Sequence, residues 1–309
     1  MRFVVIMGQH YPVIILGAGP AGVSAALAFK EAEIEALVLE QQPACGGQLT
    51  AIPSAISNFA LGWFSNGAEA QLRLQAVVAK STVNIRQAQV LKVEIGGDSF
   101  PLVNQAWSCN YLLVATGLSE NRLALPPTPI NEMVRYHIDE NLQGKTLAIV
   151  GGGDSALLKA IKLSREARKI FVIHRREKFN ARPDLIAEVA TLNNVETLML
   201  SEIKQLAGTD KVESITVATQ AAMVNLKVDF VLAKIGYVPN SAAVGDLLAL
   251  DQRGYIIVDN QFKTSQQRIF AAGDITAGTV PRIGTAVGQG MACAAGVITL
   301  INNELSFSQ

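Results

Sequence analysis

Two glycine-rich turns in this 309-residue sequence have the spacing of dinucleotide-binding motifs. The first reads GAGPAG at residues 17–22, and the second reads GGGDSA at residues 151–156. Glycines at this spacing let a pyrophosphate approach the backbone, and the N-terminus of the following helix offers it unpaired N–H groups and a partial positive charge. Each turn therefore predicts the binding of a dinucleotide.

The residue that ends the next strand distinguishes the two turns. Glu40 lies eighteen residues after Gly22, where a carboxylate can accept hydrogen bonds from a ribose diol. The second unit has His174, Arg175 and Arg176 at this place. Because Arg binds phosphate oxygens through a planar fork of N–H donors, these residues predict a ribose 2′-phosphate, and hence NADP(H) rather than NAD(H). The alternative is a solvated basic strand end.

Predicted strands and helices flank both turns. Short apolar runs indicate buried parallel strands, and the Ala- and Leu-rich runs after the turns indicate helices. The strands are predicted at residues 13–16, 36–39, 146–150 and 170–173, and the helices at residues 23–29 and 156–164. The predicted fold is α/β, with two Rossmann-like (three-layer ββα) dinucleotide-binding domains, the second inserted in the first.

Two proline-containing segments predict where the domains meet. They read LPPTP at residues 125–129 and GYVPN at residues 236–240, and proline both resists regular structure and stiffens a linker. The first domain is therefore predicted to comprise residues 1–121 and 242–309, and the inserted domain residues 122–241. Two further predicted strands of the first domain end in ATG at residues 115–117 and in GD at residues 273–274. A carboxylate at the end of such a strand can accept hydrogen bonds from a sugar-like hydroxyl chain.

The composition excludes several classes of protein. Lys plus Arg and Asp plus Glu number 26 each, whereas binding to nucleic acid favours a basic excess. Cys45, Cys109 and Cys293 are far apart and include no CxxC pair, which argues against a disulfide framework or a thiolate metal site. The three histidines are not spaced as metal ligands either.

Two uncharged segments, residues 11–29 and 283–303, are long enough to span a membrane. The first is broken by the glycine turn, and the second is rich in Gly and Ala, which suits a helix packed inside a protein. The start of the chain also lacks the basic region and clear cleavage site of a signal peptide. A cytoplasmic protein with no membrane partner is predicted.

Several motifs in one order carry a family resemblance: GAGPAG, Glu40, GGQLT, VATG, GGGDSA, HRR and AAGDI. With them the chain resembles the low-molecular-weight thioredoxin reductase family of flavoproteins, from about residue 12 to about residue 300. The resemblance implies a homodimer whose first unit binds FAD and whose second unit binds NADPH.

The resemblance also implies the residues that line each cofactor. Those for FAD are Gly17, Gly19, Pro20, Ala21, Gly22, Glu40, Gly46, Gly47, Gln48, Leu49, Asn58, Ala115, Thr116, Gly117, Gly273, Asp274 and Ile283. Those for NADP(H) are Gly152, Gly153, Asp154, Ser155, His174, Arg175 and Arg176. No catalytic side chain and no metal are implied, because the cofactors supply the chemistry.

One departure from the family concerns the electron acceptor. Thioredoxin reductases of this kind have a CxxC just before the second nucleotide strand, but residues 134–141 contain no cysteine. This stretch is similar to the ferredoxin (or flavodoxin)–NADP⁺ reductase branch, although residues 57–59 and 235–240 are closer to thioredoxin reductase. That branch also extends its C-terminus over the flavin, whereas only residues 304–309 follow the last predicted helix here.

The expected function is an FAD-dependent NADPH oxidoreductase that passes electrons to a small carrier protein, ferredoxin or flavodoxin, or to a small-molecule acceptor. Two alternatives remain open. One is a disulfide or quinone reductase that uses Cys45, which lies beside the GGQ motif, although nothing in the sequence lowers its pKa. The other is a flavoprotein that NADPH does not reduce. Linker composition further suggests that the inserted domain can rotate.

Overall fold

The computed structural model describes residues 9–52, 55–60, 62–138 and 140–306. Residues 1–8, 53–54, 61 and 307–309 of the predicted first domain lie outside the described residues, as does Asp139 of the predicted second domain. The chain forms two compact units, Met1–Ser119 with Val238–Gln309 and Glu120–Tyr237. It crosses between the units within two short strands, Leu118–Glu120 and Tyr237–Pro239.

Strands outnumber helices in the described part of the chain, and the two alternate around each glycine turn. The strands are β1 (Gln9–Leu16), β2 (Ala36–Glu40), β3 (Ile56–Phe59), β4 (Gly62–Phe64), β5 (Asn84–Gln87), β6 (Val93–Ile95), β7 (Pro101–Val103), β8 (Trp107–Val114), β9 (Leu118–Glu120), β10 (Thr146–Val150), β11 (Lys169–Ile173), β12 (Val195–Leu198), β13 (Glu202–Ala207), β14 (Ser214–Ala218), β15 (Met223–Lys227), β16 (Phe230–Ala233), β17 (Tyr237–Pro239) and β18 (Ile269–Ala271). The helices are α1 (Pro20–Glu31), α2 (Gly67–Ser81), α3 (Asp154–Ser164), α4 (Pro183–Ala190) and α5 (Ile283–Ser306), with short 3₁₀ turns at Gly47–Ala51 and Pro129–Met133.

The first unit is built on a seven-stranded sheet in the order β5-β2-β1-β8-β7-β6, with β18 paired to β8. The strands β5, β2, β1, β8 and β18 run parallel, and β6 and β7 form an antiparallel edge. The last four residues of β1 are almost completely buried, as a central parallel strand requires. The parallel strands therefore bring their carboxyl ends to one edge of the sheet.

Helix α5 packs along α1 on one face of this sheet. A Cβ at Gly290 of α5 would collide with the backbone of Ala21 in α1, so only glycine permits this approach. By length and composition α5 could also cross a membrane, but such a helix occurs in the cores of soluble proteins as well. Its packing buries one face only, at Ala286, Gly290, Cys293, Ala294 and Val297, so α5 is less enclosed than the internal helix that the sequence predicts.

The second unit contains a four-stranded parallel sheet in the order β12-β11-β10-β16. A separate antiparallel sheet, β13-β14-β15, follows in the chain before β16 returns beside β10. Helices α3 and α4 pack together over a core that includes Leu147, Ile149 and Leu157. Each unit thus has the strand–turn–helix–strand arrangement that the sequence predicts, and one unit is inserted within the other.

Candidate functional site

The first glycine turn joins β1 to α1 and leaves open space at its centre. Gly17 has φ 99°, and a Cβ there would lie 2.5 Å from the carbonyl oxygen of Ala115. A Cβ at Gly22 would collide with the carbonyl of Gly17, whereas a Cβ at Gly19 would meet no atom within 4 Å. Among the described residues, no side chain caps the N-terminus of α1. The turn therefore offers free N–H groups and empty space together, which suits a pyrophosphate.

Glu40 ends β2 beside this turn and is only 7% exposed. Its Oε2 accepts a hydrogen bond of 2.7 Å from the N–H of Ala18, and its Oε1 accepts one of 2.8 Å from the N–H of Gln42. These two bonds fix the carboxylate next to the turn. Because a carboxylate has about four acceptor positions, it can still receive a ribose hydroxyl.

The GGQL segment lies against the same turn. Gly46 donates its N–H to the carbonyl of Ala18 at 2.8 Å, and a Cβ at Gly47 would lie 3.3 Å from Cα of Gly19. A Cβ at Gly117 would in turn lie 3.5 Å from Nε2 of Gln48. The structure thus assembles three of the predicted motifs around one turn.

The ATG segment is fixed by its own hydrogen bonds. The N–H of Ala115 donates to the carbonyl of Leu16 at 2.8 Å. The hydroxyl of Thr116 donates to the carbonyl of Asn240 at 2.9 Å, and the Asn240 amide donates back to the carbonyl of Thr116 at 2.8 Å. The end of β8 is thereby anchored to residues far along the chain.

Asp274 supplies a test of whether these residues fit FAD. Its Oδ1 is buried and has no hydrogen-bond partner among the described residues. Burial raises the pKa of this carboxyl, and the guanidinium of Arg282 partly offsets the rise. A buried polar atom without a partner is costly, so this acceptor calls for a donor such as a hydroxyl of a sugar-like chain. The site therefore fits a dinucleotide that carries hydroxyl groups.

Two other residues that are predicted to bind FAD have fewer contacts with the first glycine turn. Ile283 begins α5 and packs with Leu49 in a small apolar cluster, so it lies near the GGQL segment. Asn58 is exposed on β3, and within the described residues no side-chain hydrogen bond joins it to the turn. Gly273, which directly precedes Asp274, has φ 84° and donates its N–H to Oε1 of Gln289 at 2.8 Å. This hydrogen bond fixes the end of β18.

The second turn joins β10 to α3 in the same way. Gly151 has φ 145° and donates its N–H to the carbonyl of Ile173 at 3.0 Å. The N-cap of α3 is Gly153, and no side chain in the described part of the chain caps this helix. Asp154 accepts a hydrogen bond of 2.8 Å from the N–H of Arg182, so its carboxylate holds the loop that follows β11. Ser155, the next residue of α3, is exposed.

His174 covers this turn with its ring. A Cβ at Gly152 would collide with the imidazole, which also stacks on Phe179 with ring centroids 5.5 Å apart. Burial lowers the pKa of His174, and the charges of Arg176 and Arg175 lower it further, against a hydrogen bond with the carbonyl of Lys178. The imidazole is therefore neutral at pH 7.

Arg175 and Arg176 follow His174 and are both exposed. Within the described residues, neither guanidinium has a hydrogen bond or an ion pair with another side chain. Two free guanidiniums at the carboxyl end of the second strand can receive a phosphate group. This second site therefore fits a dinucleotide that carries a 2′-phosphate.

Sequence reasoning missed a charged cluster at the carboxyl end of β16. The Nζ atom of Lys234 lies 3.1 Å from Oε1 of Glu120, and Nε2 of His137 lies 3.2 Å from the same oxygen. The Lys234 side chain is only 7% exposed. We call these three residues the Glu120 cluster. A lysine directly after the apolar run FVLA was the one available signal, because the partners lie about a hundred residues earlier.

The three cysteines are free and buried. Burial raises the pKa of Cys109 and of Cys293 to about 12. It also raises the pKa of Cys45, with a smaller contribution from the negative charge of Glu40. None of these thiols is activated as a nucleophile.

Comparison with known proteins agrees with this geometry. A family model described as pyridine nucleotide-disulphide oxidoreductase matches residues 11–290. The chain is 30% identical over 296 residues to a "34.2 kDa protein in rubredoxin operon" of Clostridium pasteurianum, covering 93% of this chain and 96% of the relative. It is 30% identical over 287 residues to a thioredoxin reductase of Chlamydia trachomatis, covering 86% of this chain and 90% of the relative.

Solved structures have the same fold. Thioredoxin reductase of Lactococcus lactis superposes with a TM-score of 0.79 at 25% identity, covering 95% of this chain and 99% of that one. Thioredoxin reductase of T. acidophilum superposes with a TM-score of 0.76 at 23% identity, covering 95% and 99%. The predicted fold class and the predicted resemblance to thioredoxin reductases are both confirmed.

Proposed function

This chain belongs to the pyridine nucleotide-disulphide oxidoreductase family, and from that membership we propose that it delivers electrons from NADPH to an acceptor outside the chain without a dithiol of its own. It is a thioredoxin reductase-like flavoprotein, and its cofactors are FAD and NADP(H).

One observation carries the proposal. The chain has three cysteines, all of them free and buried, and residues 134–141 contain none. A relay through a disulfide needs two thiols within bonding distance, one of them reactive as a thiolate. Since no such pair exists in this chain, an external acceptor must take electrons without an internal dithiol step.

We assign FAD to the first unit. The open space at Gly19 and the free N-terminus of α1 would receive the pyrophosphate. Glu40 would accept hydrogen bonds from the adenosine ribose, and the buried Oδ1 of Asp274 would accept one from the ribityl chain. Leu49 and Ile283, which pack together, would bound the ring system.

We assign NADP(H) to the second unit. The N-terminus of α3 would receive the pyrophosphate, and Arg175 and Arg176 would receive the 2′-phosphate. Neutral His174 would cover the turn and keep Gly152 in place without adding a charge. When bound, NADPH supplies a hydride to FAD, and FAD supplies electrons to the acceptor.

A small electron-carrier protein of the ferredoxin or flavodoxin type is the acceptor that we favour. The missing dithiol supports a carrier that takes single electrons. One relative is named for its place in a rubredoxin operon, and rubredoxin is itself a small redox protein. By resemblance to the family, the enzyme would act as a homodimer in the cytoplasm.

A disulfide is the second candidate acceptor. It is favoured by relatives named thioredoxin reductase, at 30% identity over 287 residues in one case. Against it, Cys45 is buried with a raised pKa, so this chain offers no thiolate for disulfide exchange.

The test is an anaerobic titration of the purified flavoprotein with NADPH and then with NADH, followed by flavin absorbance. We expect NADPH to bleach the flavin at concentrations where NADH has little effect. The reduced protein is then mixed with ferredoxin, flavodoxin, a quinone or oxidised thioredoxin in separate experiments. Rapid reoxidation by thioredoxin alone would replace our first acceptor with the second, and no bleaching by either nucleotide would refute the proposal.

A further inference from the structure

The Glu120 cluster lies directly against the second glycine turn. The N–H of Lys234 donates to the carbonyl of Val150 at 2.7 Å, and the carbonyl of Lys234 occupies the space that a Cβ at Gly151 would need. His137 reaches the same place because its segment runs beside β16, with Arg135 donating to the carbonyl of Val231 at 2.8 Å. The cluster therefore belongs to the carboxyl edge of the parallel sheet.

The strand order locates the cluster relative to a bound dinucleotide. Strand β10 has β11 on one side and β16 on the other, so the strand order reverses at β10. Ligands of such sheets lie across the crevice at this reversal. Arg175 and Arg176 follow β11 and mark the adenosine side. The other half of the dinucleotide must then extend over the carboxyl end of β16, where Lys234 lies.

The charges of the cluster fit a neutral ligand group. The ammonium of Lys234 balances the carboxylate of Glu120, and a half-buried carboxylate paired in this way retains strong acceptor character. Both described contacts of the carboxylate use Oε1. Its Oε2 can therefore accept a hydrogen bond from a ligand.

We propose that the Glu120 cluster positions the nicotinamide half of NADP(H), with the Glu120 carboxylate accepting a hydrogen bond from the carboxamide N–H₂. Lys234 acts as a positioning residue that holds Glu120 Oε1, with the His137 ring beside the same oxygen, and so aims Oε2 at the ligand. The inference rests on the proposed assignment of NADP(H) to the second unit. It adds a contact for the end of the cofactor that reacts.

The test compares two ligands by calorimetric titration of the FAD-loaded, full-length protein. NADP⁺ carries both halves of the cofactor, and adenosine 2′,5′-bisphosphate carries the adenosine half alone. Glu120→Ala should weaken NADP⁺ about tenfold or more, or about 1.4 kcal/mol. The same variant should leave adenosine 2′,5′-bisphosphate within about twofold, because that ligand does not reach β16.

Two further variants separate this role from folding. Glu120→Met with Lys234→Met removes both charges and the acceptor oxygens at nearly constant volume, which keeps the fold where Glu120→Ala would leave a buried ammonium without its partner. It should show the same selective loss of NADP⁺ binding. The control is Asp229→Asn with Lys145→Met, which removes a lysine–carboxylate pair of 3.4 Å at the amino end of β10 in the same unit. The control should bind both ligands normally.

The inference would be overturned if the Glu120 variants bound NADP⁺ and adenosine 2′,5′-bisphosphate equally weakly, or if both variants bound NADP⁺ as the wild type does. Either result would leave the NADP(H) assignment intact. If the unmodified protein binds neither ligand, the NADP(H) assignment itself is wrong and the inference falls with it. Selective loss of NADP⁺ in the Glu120 variants alone would support it.

Discussion

Replacing both exposed arginines after β11, Arg175→Ala with Arg176→Ala, should remove the preference for NADPH over NADH. Neither guanidinium has a side-chain hydrogen bond or ion pair among the described residues, so the substitution breaks no contact of either kind. Exposed substitutions of this kind usually change the free energy of unfolding by no more than about 0.5 kcal/mol. A loss of NADPH binding can therefore be attributed to the ligand contact.

The size of the effect follows from the number of contacts. A hydrogen bond to a charged group contributes about 1.5–3 kcal/mol, and exposure to water favours the lower value here. Two arginines at about 1.5 kcal/mol each give about 3 kcal/mol, or roughly a hundredfold increase in the Kd of NADPH. NADH lacks the 2′-phosphate, so its Kd should change less than about threefold.

The assay is the anaerobic bleaching of the flavin by each nucleotide, repeated at low and high salt. Because exposed charges are screened, salt should reduce the NADPH preference of the wild type and have little effect on the double variant. Arg165→Ala is a suitable control, since this exposed arginine lies at the opposite end of α3 from the turn. Equal losses for NADPH and NADH in the double variant would refute the assignment of the 2′-phosphate.

Three further predictions concern the first unit. Gly19→Val should give a folded but colourless protein, because the valine side chain enters the open space proposed for the pyrophosphate. Gly22→Val should fail to fold, because its side chain meets the carbonyl of Gly17. Absorbance at 450 nm and circular dichroism check both variants, and a yellow Gly19→Val protein would contradict the site. Asp274→Asn should bind FAD more weakly yet raise the Tm of the FAD-free protein at pH 7. Burial raises the pKa of this carboxyl, so its ionised form destabilises the folded protein once the pH exceeds the ordinary pKa of Asp. The gain in Tm should therefore shrink towards pH 4, and a gain independent of pH would show that charge is not the cause. Cys45→Ser should leave the rate of reduction of every acceptor unchanged, as its thiol is buried with a raised pKa, and a selective loss with disulfides would restore the thiol mechanism.

The sequence predicted well whatever depends on local backbone geometry. A glycine turn between an apolar strand and a helix constrains a few neighbouring residues, so the positions of β1, α1, β10 and α3 could be read from spacing alone. The end of β2 at Glu40 and the end of β11 before His174 follow from the same local pattern.

The Glu120 cluster could not be predicted, because it depends on long-range placement. Glu120 and Lys234 lie 114 residues apart and meet only after β16 returns beside β10. Nor could spacing reveal that His174 covers Gly152 with a neutral ring, since burial decides its protonation. Asn58 fits a family position but is exposed on β3, and its contact with the flavin stays a prediction.

The packing of α5 on α1 has a consequence for the order of events during synthesis. The second unit is one continuous segment, Glu120–Tyr237, so it can fold on the ribosome as soon as β16 emerges. The first unit needs β18 and α5, and the close approach of Gly290 to Ala21 involves the helix that begins at the first turn. If the cofactors occupy the two units as proposed, FAD is captured firmly only after translation has passed α5, whereas NADP(H) can bind the second unit earlier.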